Sequence, residues 1–220
     1  MKTMKLSKRT QAILKNFAGI NQSIVIQPGK QLQTISNVKD VFAKANIEEE
    51  FDKTIAIYDV NEFLGVLSLF EDPDLEFTDN SVKIKQGKAS QTYYYADASI
   101  ITSPPEKGVS LPSVEVTGKL TREQIATLIK AAGLNDATSL TFTNGSAKVW
   151  NSAVANSNAY TIEDVMSNEA NYELSIAVEK LKMIADDYDV EICAKGLSRF
   201  NGTQGIEYFV ALQPNGKYGA

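Results

Sequence analysis

The sequence predicts an α+β fold in which one module, two helices packed on antiparallel sheets, occurs twice. Three observations predict it. An internal repeat recurs at a spacing of 114 residues, each copy runs through the same succession of helical and strand periodicities, and a proline-rich stretch separates the copies.

The repeat opens with Leu6-Ser7-Lys8-Arg9-Thr10-Gln11-Ala12-Ile13-Leu14-Lys15 and returns as Leu120-Thr121-Arg122-Glu123-Gln124-Ile125-Ala126-Thr127-Leu128-Ile129-Lys130. Leu6 then aligns with Leu120, Lys8 with Arg122, Ala12 with Ala126, Leu14 with Leu128 and Gly19 with Gly133. Both segments predict a helix with one apolar face and one basic face. Ile13, Leu14 and Phe17 fall together, while Lys8 and Lys15, seven residues apart, lie about 20° apart around the axis. In the second copy Thr121 and Gln124 form a capping-box pattern, and the helix displays Arg122 and Lys130.

A strand and turn come next in each copy, at Ile24, Ile26 and Gly29 and at Leu140, Phe142 and Gly145. Phe51-Asp52-Lys53-Thr54-Ile55-Ala56-Ile57 parallels Tyr172-Glu173-Leu174-Ser175-Ile176-Ala177-Val178, and both stretches read as strands leading into a helix. Asp59 suits the N-cap of the first such helix, with Glu62 three residues on. Val60, Phe63, Leu64 and Leu67 then supply the i, i+3, i+4, i+7 face. Leu181, Ile184, Ala185 and Tyr188 repeat those offsets and predict a fourth helix, carrying Lys180 and Lys182. Each copy closes on an aromatic strand, Tyr93-Tyr94-Tyr95-Ala96 or Tyr208-Phe209-Val210-Ala211, whose rings read as core and cross-strand pairs rather than a platform for bases. Pro104, Pro105, Gly108 and Pro112 cannot continue a ladder or helix, so residues 98–113 are expected to connect an N-terminal domain, 1–97, to a C-terminal domain, 114–220.

Composition removes most catalytic chemistry. The 220 residues include no histidine and one cysteine, which excludes Cys/His metal sites and the commonest general base near neutral pH. Cys193 alternates with Ile192 and Ala194 and reads as a reduced core thiol. A cytosolic compartment is therefore expected, and the N-x-S/T triplets at Asn21, Asn144 and Asn201 are chance matches. Met1-Lys2-Thr3-Met4-Lys5 is not followed by the apolar stretch of a secretory leader, and no apolar run is long enough to span a bilayer. Asp186-Asp187-Tyr188-Asp189 lacks the glycine and closing glutamate of a calcium loop and reads as a solvated helix end; Glu48-Glu49-Glu50 reads as an exposed turn. Gly29-Lys30 and Gly87-Lys88 lack the remainder of a phosphate-binding loop. No catalytic residue, metal or cofactor is expected.

Charge is uneven. Of the 22 basic residues, seven (Lys2, Lys5, Lys8, Arg9, Lys15, Lys30 and Lys39) fall within 1–39, where no acid occurs. The other 15 share the rest of the chain with all 27 acids, for a net charge of −5. Such a protein is repelled by nucleic acid over most of its surface but can still meet phosphate through a local basic face. Lysines on helices supply salt-sensitive contact without base reading, and no recognition-helix motif is present.

Two blocks resemble the sliding clamps of T-even-like tailed phages: Met4-Lys5-Leu6-Ser7-Lys8 through Leu14-Lys15-Asn16-Phe17-Ala18-Gly19-Ile20-Asn21, and Ile55-Ala56-Ile57-Tyr58-Asp59-Val60-Asn61-Glu62-Phe63-Leu64-Gly65-Val66-Leu67-Ser68-Leu69. The second half is similar mainly in pattern, as at Cys193-Ala194-Lys195-Gly196. The resemblance implies two DNA-clamp domains per chain and a homotrimeric ring with helices lining the hole. It implies topological, non-specific hold on double-stranded DNA, loading by an ATP-driven clamp loader, tethering of the DNA polymerase, and support of late viral transcription through late-transcription factors. The setting would be the cytoplasm of the infected bacterial host. Lys5, Lys8, Arg9, Lys15, Lys119, Arg122, Lys130, Lys180 and Lys182 would then face the DNA. Ile100, Ile101, Leu212 and Pro214 are candidates, by position, for a pocket that takes a partner's terminal peptide, though ordinary packing of linker and terminus is the better account of any one of them. Two other readings remain open on the residues: a duplicated-domain structural or scaffolding virion protein, and a carboxylate-based metal-dependent hydrolase.

Overall fold

The computed structural model describes residues 3–167 and 169–219. Two compact units divide the chain, one running to Glu106 and the other starting at Lys107. The first unit contains β1 (Thr3–Met4), α1 (Lys8–Ala18), β2 (Ile24–Ile26), β3 (Gly29–Ile35), β4 (Val41–Phe51), β5 (Ile55–Ile57), α2 (Val60–Leu67), β6 (Asp74–Phe77), β7 (Ser81–Gln86) and β8 (Ala89–Tyr94). The second contains β9 (Val116–Leu120), α3 (Arg122–Leu134), β10 (Ser139–Thr143), β11 (Ser146–Trp150), β12 (Ala159–Ile162), β13 (Tyr172–Ala177), a 3-10 turn at Val178–Lys180, β14 (Tyr188–Cys193), β15 (Leu197–Gly202), β16 (Ile206–Ala211) and β17 (Lys217–Tyr218).

The ladders repeat with the elements. Antiparallel pairing runs β1-β6-β7-β8 in the first unit and β9-β14-β15-β16 in the second. β3 pairs with β4 as β11 does with β12, and β2 with β5 as β10 does with β13. The second unit adds a β10–β11 ladder and places β17 beside β13. The turns entering β3 and β11 both need a residue in the left-handed region, and glycine supplies it: Gly29 at φ 119° and Gly145 at φ 79°.

Three α-helices form among the described residues, each where a side chain can cap it. Ser7 Oγ accepts from the Thr10 N–H, Asp59 from the Asn61 and Glu62 N–H groups, and Thr121 with Gln124 closes a capping box. Ile13, Leu14 and Phe17 of α1 and Val60, Phe63 and Leu67 of α2 are buried, each stabilising the unit by about 1.5–3 kcal/mol relative to exposure. Tyr93 of β8 packs edge-on against Phe63 at 5.3 Å between centroids, while Tyr94 beside it is 71% exposed. In the second unit Tyr188 packs edge-on against Phe200 and Tyr208, at 6.2 and 6.1 Å. Cys193 is buried and free.

Three expectations are corrected. The fourth helix is only the 3-10 turn at Val178–Lys180. Its would-be cap is Ala177, which offers no side-chain acceptor. Both backbone groups of Ile184 that a helix would use are taken elsewhere, the N–H donating to the Tyr208 hydroxyl and the carbonyl accepting from the Tyr188 hydroxyl. Glu48-Glu49-Glu50 is not a turn but part of β4, where alternation buries Glu49 and exposes its neighbours. Asp186 is not a solvated helix end: it is buried, and its carboxylate accepts from Thr203 Oγ1, the Gln204 N–H and the Asp187 N–H.

Candidate nucleic-acid interface

The duplicated first helix brings the basic residues into equivalent places. Lys8 and Arg122 are the first helical residues of α1 and α3, each directly after its N-cap. Lys5 and Lys119 stand three residues earlier, just past β1 and on β9. On α1 the buried face of Ile13, Leu14 and Phe17 turns Lys8 and Lys15 to solvent; on α3, burial of Ile125, Leu128 and Ala132 does the same for Arg122 and Lys130.

The nine basic residues divide by what already holds them. Lys5 donates to the Asp72 carboxylate, which raises its pKa. Lys119 pairs with Asp189 at 3.2 Å, its cross-strand neighbour on β14. Arg9 Nη1 donates to the Asn46 carbonyl at 2.7 Å, which ties it to β4. Lys180 lies in the 3-10 turn and Lys182 just after it, not on a helix. Lys8, Lys15, Arg122 and Lys130 are exposed and make no ion pair among the described residues. The arrangement therefore offers four free cations on two equivalent helices, suited to phosphate rather than to base edges.

Both helix starts also carry an acid that sequence reasoning missed. Glu49 accepts from the Ser7 N–H and from Thr10 Oγ1. Burial pushes its pKa up, but those hydrogen bonds outweigh burial and hold it below the usual carboxylate value. Asp187 accepts from the Arg122 N–H at 2.7 Å. No local pattern could have found them, since the partners lie 42 and 65 residues away.

The residues proposed for a peptide pocket are placed as follows. Ile101 is buried with Val25 and Ala56 in a small cluster of the first unit, and Ile100 is 64% exposed. In the second unit Leu212 is half-buried, its N–H donating to the Gly196 carbonyl, and Pro214 is exposed. A cleft of about 380 Å3 in the first unit is lined by Val25, Gln27, Gln31 and Gln33 on one side and by Ser103, Pro104, Pro105 and Glu106 on the other.

A module occurring twice, with ladders in the same order, defines the DNA-clamp fold, and solved structures agree. The chain superposes on PCNA from Archaeoglobus fulgidus bound to a C-terminal region of FEN-1, with a TM-score of 0.73 at 13% identity, covering 99% of this chain and 100% of that one. The PCNA2–PCNA3 complex of Sulfolobus tokodaii gives 0.72 at 15% identity over 96% and 99%. At those identities the likeness concerns the fold. Sequence carries the rest. Residues 5–103 match the family described as DNA polymerase processivity factor, and residues 109–214 match the C-terminal domain of the gp45 sliding clamp. The sliding clamp of Vibrio phage KVP40 is 33% identical over 96% of this chain and 99% of its own length; that of Enterobacteria phage T4 is 32% identical over 96% and 97%. The chain belongs to the sliding-clamp family of DNA polymerase processivity factors, on the branch found in these tailed phages.

Proposed function

We propose that three copies of the chain close into a ring whose hole holds duplex DNA by enclosure, with α1 and α3 of every copy turned inward. The observation that carries this is the placement of Lys8 and Arg122 at the same position of equivalent helices, with Lys15 and Lys130 exposed beside them. Each ring would bring twelve such cations to the hole. Contacts of this kind are individually weak and salt-sensitive, which suits a protein that must slide. An acidic exterior does no harm, because enclosure replaces affinity.

Free strand edges support assembly. β8 and β12 each end a sheet within their own unit. Both are exposed or half-exposed along their length and carry no charged residue to deter pairing. Pairing of β8 of one copy with β12 of the next is head-to-tail, and such an interface closes into a ring when the rotation permits. In this reading residues 98–113 connect the clamp domains 1–97 and 114–220. Loading by an ATP-dependent clamp loader, a terminal-peptide contact by the polymerase, and support of late transcription complete the proposal, in the cytoplasm of the infected host. Ile100, Ile101, Leu212 and Pro214 remain the candidates for the peptide site.

Sedimentation tests the assembly: three chains of 24.1 kDa give a particle of about 72 kDa. Lysine at both Thr92 and Thr161 sets like charges on the paired edges and should reduce that mass to a single chain. Reversing Lys8 and Lys15 to glutamate should weaken DNA retention with the mass unchanged. Loss of assembly in that variant would place the two lysines at a subunit contact instead. The scaffolding reading predicts no dependence of DNA retention on these lysines. The hydrolase reading is disfavoured by the carboxylates themselves, since Asp186, Asp187 and Asp189 are already engaged with a turn, a helix end and Lys119.

A further inference from the structure

The two copies of the module share a second feature. In each, a lysine three residues before the basic start of the helix is held by an aspartate on, or just before, the strand paired with the one leading into that helix. Lys5, beside β1, pairs with Asp72, two residues before β6; Lys119, on β9, pairs with Asp189 on β14. β1–β6 and β9–β14 are the equivalent ladders of the two units. The pairs are exposed, with Lys119 at 85% and Asp189 at 57%, so they contribute little to stability. Yet they cancel two of the six cations that Lys5, Lys8, Lys15, Lys119, Arg122 and Lys130 would otherwise offer from the two helix approaches. Glu49 and Asp187 act in the same direction at the helix N-termini, where their carboxylates accept the N–H groups of Ser7 and Arg122.

We infer that Asp72 and Asp189 set the strength of DNA contact, holding Lys5 and Lys119 back from phosphate so that the ring's grip stays weak enough for sliding. This rests on the reading that α1 and α3 face DNA. In the apo protein each aspartate is the lysine's partner; beside duplex, phosphate and aspartate compete for one ammonium, and the aspartate, carried by the same unit as the lysine, keeps part of the hold. Replacing both with asparagine keeps the shape, removes the opposing negative charge and frees two cations per chain for phosphate.

The test is equilibrium binding of purified protein to a short labelled duplex, by fluorescence anisotropy across a salt series, for wild type, Asp72→Asn/Asp189→Asn, and that double variant with Lys5→Gln/Lys119→Gln added. The asparagine variant should bind more tightly at low salt, with the slope of log affinity against log salt steeper by about 0.9 for each released lysine that reaches a phosphate. Adding the glutamines should return the slope to the wild-type value or below. An unchanged slope in the asparagine variant, while Lys8→Glu/Lys15→Glu weakens binding, overturns the inference and leaves the DNA-facing reading standing. Binding indifferent to Lys8 and Lys15 as well removes both. A steeper slope that persists with the glutamines assigns the gain to general charge and also overturns the inference.

Discussion

Glu49 illustrates how a single residue ties the helix to the sheet. Its carboxylate, buried at β4, accepts from the backbone and a side chain at the start of α1. Its pKa is depressed below that of a free glutamate, so the ionised form stabilises the fold above the free value, and the contribution is lost as pH falls through the folded one. Glu49→Gln should therefore lower stability at neutral pH by about 1.5–3 kcal/mol, the range for hydrogen bonds to a charged group. The gap to wild type should narrow in acid. Denaturant midpoints between pH 3 and 7, at fixed protein concentration, check this; a gap that widens in acid contradicts it. Asp186, depressed by its bonds to Thr203, Gln204 and Asp187 in spite of burial, should behave in the same sense. Residue roles of this kind were the least legible in the sequence. Local patterns exposed Asp59 and Thr121 as caps, because a cap and its partner are two or three residues apart, whereas the Ser7 cap emerged only in the structure. Glu49, Asp72, Asp187 and Asp189 find their partners far away in sequence, and nothing short-range marks them.

At the scale of elements, periodicity located the three helices and fewer than half of the strands, and failed where tertiary hydrogen bonds overrode it. The offsets of Leu181, Ile184, Ala185 and Tyr188 fit a helix, but Tyr188 and Tyr208 capture the backbone of Ile184 and Tyr188 joins β14. The acid-rich run at 48–50 misled for the opposite reason: strand alternation tolerates one inward carboxylate when donors await it. Close approach of elements yields a sharper prediction. A Cβ on Gly118 of β9 would lie 2.3 Å from Met166 Sδ and 2.5 Å from the Val165 carbonyl oxygen, the acceptor of the Lys119 N–H. Backbone cannot retreat there without breaking that bond, so Gly118→Ala should cost about 1–3 kcal/mol. Gly133 on α3 has open space around the same atom, and Gly133→Ala should stabilise by about 0.5–1 kcal/mol. Thermal denaturation of the two variants separates the cases, and equal effects would contradict the packing described.

At the scale of the molecule, duplication was visible in Leu6 to Lys15 and its echo at Leu120 to Lys130, and the ladders repeat with it. The chain's acidity gave no hint of a DNA partner; the position of four unpaired cations on two equivalent helices did. Which edges stay free could not be read from composition, because exposure of β8 and β12 depends on what neighbours them in space. The central claim is that DNA is held by being enclosed. Protein assembled on nicked circular duplex, with the proposed loader and ATP, should remain bound through gel filtration at salt that abolishes simple charge attraction, and should be lost once a restriction enzyme linearises the circle. Equal retention on circular and linear DNA would contradict enclosure and leave only surface binding.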